Sequence, residues 1–152
     1  MMINILNAEQ IKNIFSKLNP DAKPLFGKMS PQHVIEHLTK VLKISSGKIG
    51  VKLYFSPLET EVLKQKIIYS DIELPMGIKN PTMSDELAPL NHVNIREALN
   101  ELYHEINYFE KKYIQNPNSK TIHPRMGELN YSEWLRFHNK HFLHHFKQYD
   151  LV

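Results

Sequence analysis

Histidine is the residue type with which this sequence could do chemistry. It occurs 9 times in 152 residues, and 5 of these histidines lie within the last 30 residues. Burying a neutral imidazole costs little only when its ring nitrogens find partners, and a divalent cation can satisfy several imidazoles together. The sequence contains no cysteine, which excludes disulfides, thiolate metal ligands and a cysteine nucleophile. A histidine-based metal site is therefore the chemistry to consider first.

The segment from Trp134 to Gln148 places histidines along one side of a predicted helix. At about 100° per residue, the side that should face the core holds Trp134, His138, His141, Phe142 and His145. His141 and His145 are four residues apart, so both rings can reach a single ion from adjacent turns. Two interpretations stay open for this pair: a metal site, or core or interface histidines hydrogen-bonded to neighbouring side chains. His138 also faces inward and is predicted to lie in the second shell or the pocket wall.

One helix rarely completes a metal site, so a third ligand is expected from another helix. In the segment His33-Val34-Ile35-Glu36-His37, the side chain of His37 borders the apolar stripe beside Val41. His33 is rotated further toward Glu36, away from that stripe. We therefore predict His37 as the third ligand and keep His33 as the reserve, with a possible second-shell position.

Three neutral histidines leave a coordination position open, as in catalytic rather than structural zinc sites. A metal held in this way could lower the pKa of water for hydrolysis, or activate a thiol as thiolate. Because the chain has no cysteine, any such thiol must arrive with a substrate or cosubstrate. Glu128, Glu133 and His138 are near the site in sequence, but none is assigned as a general base. The single Glu-x-x-His pattern, Glu101 to His104, falls on a predicted solvent face and disfavours a di-iron site.

Helix signals dominate the rest of the chain. Helix starts are predicted at Asn7, Ser30-Pro31, Ser56-Pro57, Asn94 and near Asn130. The corresponding ends are predicted at Asn19-Pro20, Gly47, about Tyr69, Asn116-Pro117 and about Tyr149. Only the stretch 48–55 resembles a strand, and no partner strand is evident. The predicted fold is all-α: a four-helix bundle with one or two short extra helices, in a single domain spanning residues 1–152.

Composition and loop pattern narrow the functional classes. Residues 70–93 contain several prolines without sustained periodicity, so we expect a functional loop that covers the mouth of the site. The formal charge is +3, from 19 Lys and Arg against 16 Asp and Glu spread along the chain, which gives no support for nucleic-acid binding. No apolar run approaches the roughly 18 to 20 residues that a membrane span requires. The amino terminus lacks the features of a signal peptide, so a cytoplasmic protein is expected.

Two segments carry a resemblance to a known family. "MSPQHVIEHL" (29–38) and "WLRFHNKHFLHHFKQ" (134–148) together resemble the DinB-like superfamily of metal-dependent enzymes, in particular a bacterial branch without an assigned reaction. The resemblance extends over nearly the whole chain. It implies a four-helix bundle, often dimeric, that holds Ni²⁺ or Zn²⁺ on three histidines. His37 matches the early ligand of the family, and His141 and His145 match the terminal pair.

The resemblance also sets the functional expectation. The family includes transferases and isomerases that use low-molecular-weight thiols, so we expect a divalent-metal-dependent enzyme acting on a small molecule by thiol-dependent transfer, isomerisation or hydrolysis. A homodimer is the expected assembly. The alternative is a non-enzymatic dimeric helical bundle that binds a ligand or partner, with incidental metal or none.

Overall fold

The structure, a computed structural model, describes residues 2–76 and 86–152. These residues form five helices and two short strands, in the order α1 (Ala8–Phe15), α2 (Pro31–Ser45), α3 (Pro57–Ile67), α4 (Ile95–Gln115), β1 (Thr121–His123), β2 (Gly127–Leu129) and α5 (Tyr131–Gln148). The described chain is thus predominantly helical, as predicted. None of these helices is both long and apolar enough to cross a membrane.

Local capping chemistry determines where the helices begin. The side chain of Ser30 accepts a hydrogen bond from the backbone N–H of His33, and Pro31 occupies the first turn of α2. Ser56 and Asn130 each form a complete capping box, with Glu59 and Glu133 respectively. The predicted starts of these helices are therefore confirmed, whereas α3 ends at Ile67 rather than at about Tyr69.

A shared core contains buried residues from all five helices. Helix α2 packs against both α4 and α5. From α1, the ring of Phe15 makes edge-to-face contacts with Phe142 and Phe146 of α5 and with Tyr103 of α4. The inward face of α5 therefore lies against elements from both ends of the chain, including the helix that carries His37.

The small sheet was not predicted from the sequence. β1 and β2 pair antiparallel with Thr121 opposite Leu129, whereas the stretch 48–55, expected as the one candidate strand, has no strand structure. The turn is held by a side chain, because His123 Nδ1 accepts hydrogen bonds from the backbone N–H groups of Arg125 and Met126. Such a side-chain-supported hairpin has no alternating pattern from which it could be recognised.

The predicted loop 70–93 falls partly outside the described residues, since 77–85 are not described. Its described flanks attach to the two helices that carry the candidate ligands. Lys140 of α5 donates to the carbonyls of Ile67, Ser70 and Ile72 at 2.6–2.8 Å. On α2, the carboxylate of Glu36 accepts from the backbone N–H of Asn91 at 2.6 Å.

Candidate metal centre

Two helices bring three histidines to one point. His141 and His145 lie one turn apart on the inward face of α5, and both are buried. His37 reaches them from α2 and remains partly exposed. His37 Nε2 lies 3.0 Å from His141 Nε2, and His145 Nε2 lies 3.2 Å from the same atom. The potential ligand atoms of all three lie within 4.8 Å of one another. We refer to these three residues as the histidine cluster.

Two of the three nitrogen pairs in the cluster have a spacing that fits a shared divalent ion. Two nitrogens that each lie about 2.0–2.1 Å from one zinc ion are roughly 3.3 Å apart at a tetrahedral angle and roughly 2.9 Å apart at a right angle. The two Nε2–Nε2 distances in the cluster, 3.0 and 3.2 Å, fall between these values. The donor set, three imidazole nitrogens, is one that zinc and nickel both accept. The residues present therefore fit the metal that the sequence predicts.

Burial keeps the rings in the state that a metal requires. It lowers the pKa of His37 to about 4, with the charges of Lys40 and His144 as further causes. It lowers the pKa of His145 to about 3, with His37 contributing. The pKa of His141 also lies well below its usual value, because of burial and then the two neighbouring rings. All three rings are consequently neutral at pH 7, with lone pairs available for coordination.

The walls of the cluster are mostly aromatic. Phe137 stacks on the ring of His141 at a centroid distance of 5.2 Å and also contacts the ring of His123 from the hairpin. On the other side, His144 lies edge-to-face with Phe26 and with His145. His37, on α2, is the partly exposed member of the cluster.

The two predicted second-shell histidines form their hydrogen bonds elsewhere. His33 Nδ1 lies 2.6 Å from Ser30 Oγ, and its Nε2 lies 3.1 Å from the carbonyl of Ala88. His138 Nε2 lies 2.8 Å from Ser45 Oγ. Phe137 lies between the two sets of contacts, because it touches both the ring of His138 and that of His141. The hydrogen bonds of His33 thus connect the start of α2 to the segment at Ala88. The hydrogen bond of His138 connects α5 to the end of α2.

The carboxylates considered as bases are also placed by the structure. Glu128 is exposed on β2. Glu133 accepts hydrogen bonds from the hydroxyl of Tyr69 at 2.7 Å and from the backbone N–H of Asn130 at 3.0 Å. Neither side chain forms a hydrogen bond with the histidine cluster within the part of the chain that the structure describes.

Gln148 also lies at the site, although no role was predicted for it. Its Oε1 lies 2.8 Å from His145 Nδ1, and its Nε2 donates to the carbonyl of Phe26 at 2.8 Å. Its position three residues after His145, on the same helical face, was the available signal.

No known protein family, curated protein or solved structure matches the chain. Its function is therefore inferred from the histidine cluster and its surroundings.

Proposed function

We propose that this chain is a divalent-metal-dependent enzyme that acts on a small molecule, with His37, His141 and His145 as the ligands of Ni²⁺ or Zn²⁺. The observation that carries the proposal is the convergence of three neutral Nε2 atoms, with neighbouring pairs 3.0 and 3.2 Å apart. Hydrogen bonding alone satisfies such a group poorly, because each contact between two nitrogens needs one hydrogen and one lone pair. A cation satisfies all three lone pairs at once.

We further propose that the architecture is a DinB-like four-helix bundle formed by α1, α2, α4 and α5, with α3 as an additional short helix. The packing of α2 on α4 and α5 supports this arrangement, as do the contacts of Phe15 from α1 with α4 and α5. The homodimer implied by the family resemblance remains part of the proposal. In such a bundle, ligands are built from side chains on facing helices, as His37 and the α5 pair are here.

The chain's own residues would prepare the site in three ways. Burial holds the imidazoles neutral, Phe137 covers the ring of His141, and a substrate would approach beside His37, the partly exposed member of the cluster. When bound, a divalent cation would supply Lewis acidity, either for hydrolysis or for activation of a thiol. With 0 cysteines in the chain, the thiol of a transfer or isomerisation would come from a low-molecular-weight cosubstrate.

The decisive test is the metal content of protein purified without a histidine tag. After loading with Zn²⁺ or Ni²⁺ and removal of excess metal, elemental analysis should find about one ion per chain. His141→Ala should lose this ion while the far-ultraviolet circular dichroism remains helical. His104→Ala is the matched control, because His104 is an exposed histidine on α4 and should leave the metal content unchanged. The loaded protein would then be assayed with a panel of low-molecular-weight thiols and electrophilic or hydrolysable substrates.

Two outcomes of the same experiment would contradict the proposal. A wild-type chain that takes up no ion under these conditions, while folded, would favour the non-enzymatic bundle in which metal is incidental or absent. Global unfolding of His141→Ala, together with bound metal in the wild type, would indicate a structural rather than a catalytic ion.

A further inference from the structure

Beyond assigning the ligands, we propose that Gln148 is a positioning residue for the metal site: its side-chain amide fixes the tautomer of His145 and so directs the His145 Nε2 lone pair at the histidine cluster. This inference rests on the proposed function for its consequence, metal affinity. The tautomer itself is a property of the metal-free chain and can be measured separately.

The orientation of the Gln148 amide follows from its second partner. A backbone carbonyl can only accept, so the side-chain atom that lies 2.8 Å from the carbonyl oxygen of Phe26 must be the NH₂ group. The oxygen of the amide consequently faces His145 Nδ1 at 2.8 Å. With only 4% of its surface exposed, the side chain has no solvent to offer an alternative partner.

This orientation leaves one tautomer for His145. An amide oxygen is an acceptor, so the hydrogen of the neutral ring must be on Nδ1. Nε2 then carries the lone pair, and it lies 3.2 Å from His141 Nε2. Donation of the Nδ1 hydrogen to the amide oxygen also increases the electron density on Nε2. Both effects improve His145 as a metal donor.

His141, the other buried histidine of the cluster, has no hydrogen-bond partner comparable to Gln148. His141 Nδ1 is buried without a hydrogen-bond partner in the described part of the chain. Since His145 Nε2 already carries a lone pair, the 3.2 Å contact in the metal-free chain is favourable only if the hydrogen sits on His141 Nε2. Metal binding would therefore leave the His145 tautomer unchanged and would move the hydrogen of His141 from Nε2 to Nδ1.

The segment around Gly27 holds the amide in place. The backbone N–H of Leu25 donates to the backbone carbonyl of Gln148 at 2.8 Å, next to the bond from the side chain to Phe26. Gly27 has φ +77, and a Cβ at this position would lie 2.9 Å from Gln148 Nε2. The absence of a side chain at Gly27 thus allows the segment to approach the amide closely, and the segment fixes which end of the amide faces His145.

The test compares Gln148→Leu and Gln148→Glu with a matched control, Gln32→Leu. Gln32 is a partly buried glutamine on α2 whose amide donates to Glu36 and to the carbonyl of His92, without touching the cluster. In metal-free wild type, ¹⁵N-detected imidazole spectra should show His145 with its hydrogen on Nδ1. Gln148→Leu should give a mixture of tautomers and bind Zn²⁺ about 10- to 100-fold more weakly in chelator competition. Gln148→Glu, which keeps an acceptor for Nδ1–H, should retain the wild-type tautomer, and so should Gln32→Leu.

The outcomes separate this inference from the proposed function. Metal-free wild type with the His145 hydrogen on Nε2 would overturn the role of Gln148, as would a folded Gln148→Leu with wild-type tautomer and affinity. If Gln148→Leu does not fold, Gln148→Glu decides: a shift of its His145 to the other tautomer counts against the inference. If the wild type binds no metal yet shows the Nδ1–H tautomer of His145, the proposed metal-dependent function would be contradicted and the role of Gln148 supported.

Discussion

His138 and His145 lie on the same inward face of α5, both buried, and they hold their hydrogens on opposite ring nitrogens. Ser45 Oγ lies 2.8 Å from both the carbonyl of Leu42 and His138 Nε2, and His138 Nδ1 has no hydrogen-bond partner among the described residues. Both groups are satisfied when Ser45 donates to Leu42 and accepts from a hydrogen on His138 Nε2. His145 meets the oxygen of Gln148 with Nδ1 instead, which frees its Nε2. Both side chains therefore point inward. They differ in which ring nitrogen meets a hydrogen-bond acceptor, and this difference distinguishes the structural histidine from the candidate ligand.

His123, the histidine of the hairpin, resembles His138 in having a structural role. His123 Nδ1 accepts from two backbone N–H groups, so its hydrogen also lies on Nε2, and its ring packs against Trp134 and Phe137. Both structural histidines use a ring nitrogen in a hydrogen bond that supports the fold: His123 within its own turn, and His138 between α5 and the end of α2. The cluster histidines instead turn Nε2 atoms toward each other, which contributes little to folding without a shared cation.

Removing one histidine from each region is the strongest test of this distinction. His138→Ala should lower the free energy of unfolding by about 2–4 kcal/mol, because it removes a buried hydrogen bond and leaves a cavity between Phe109 and Trp134. It should keep its metal. His141→Ala should lose metal binding by at least about 100-fold with a smaller loss of stability in the metal-free state. Urea unfolding and chelator competition on both variants measure the two quantities.

The reverse pattern would contradict the distinction. If His138→Ala lost its metal while its stability changed by less than about 1 kcal/mol, His138 would belong to the site rather than to the core.

Acid should affect the two regions differently once metal is present. Burial lowers the pKa of His123 and of His138 to about 3 in the folded chain, against an ordinary value of 6.5. Below pH 6.5 the unfolded chain therefore binds protons that the folded chain does not. Stability should fall from pH 6.5 toward pH 3, by up to about 1.4 kcal/mol per pH unit for each such histidine.

Zinc should add stability at pH 7, and this increment should persist at pH 5 and disappear only toward pH 3, where protons compete for rings whose pKa burial lowers to about 4 in His37 and to about 3 in His145. His141→Ala is the control: it should lack the zinc increment but retain the acid slope of the structural histidines. Thermal unfolding between pH 7 and pH 3, with and without zinc, measures both. An equal zinc increment in His141→Ala would place the bound ion elsewhere.

How far the sequence could predict this molecule depends on the range of each interaction. The caps at Ser30 and Asn130 involve neighbours within three residues, so the helix starts could be predicted directly. The hairpin could not be predicted, because its turn depends on His123 rather than on alternating side chains. The expected strand at 48–55 lacked a partner and is not formed.

The same limit applies within the site. Helical spacing was enough to bring His37, His141 and His145 forward as candidates, and it ranked His37 above His33 for the position that faces α5. The role of Gln148 depends on a carbonyl at Phe26, 122 residues away, which no local pattern reveals. The tautomer of His138 likewise depends on Ser45, 93 residues away. Ligand candidates were thus predictable, and the hydrogen-bond partners that distinguish them were not.

The smallest effect we expect comes from the segment that supports Gln148. Gly27→Ala should cost about 1 kcal/mol of folding free energy, because its positive φ disfavours a side chain and the new Cβ would lie 2.9 Å from Gln148 Nε2. Gly50→Ala is the matched control, since that glycine has open space around its Cβ position and no positive φ. Urea unfolding measures the cost in both variants.

The most informative measurement on Gly27→Ala is its affinity for zinc. If the segment holds the amide in place, displacement of Gln148 Nε2 should also weaken zinc binding, by a few-fold and less than Gln148→Leu does. Chelator competition on Gly27→Ala, Gly50→Ala and wild type would show the difference. A destabilised Gly27→Ala with unchanged zinc affinity would mean that Gln148 keeps its orientation without the close approach of the Gly27 segment, and that the Phe26 carbonyl alone selects it.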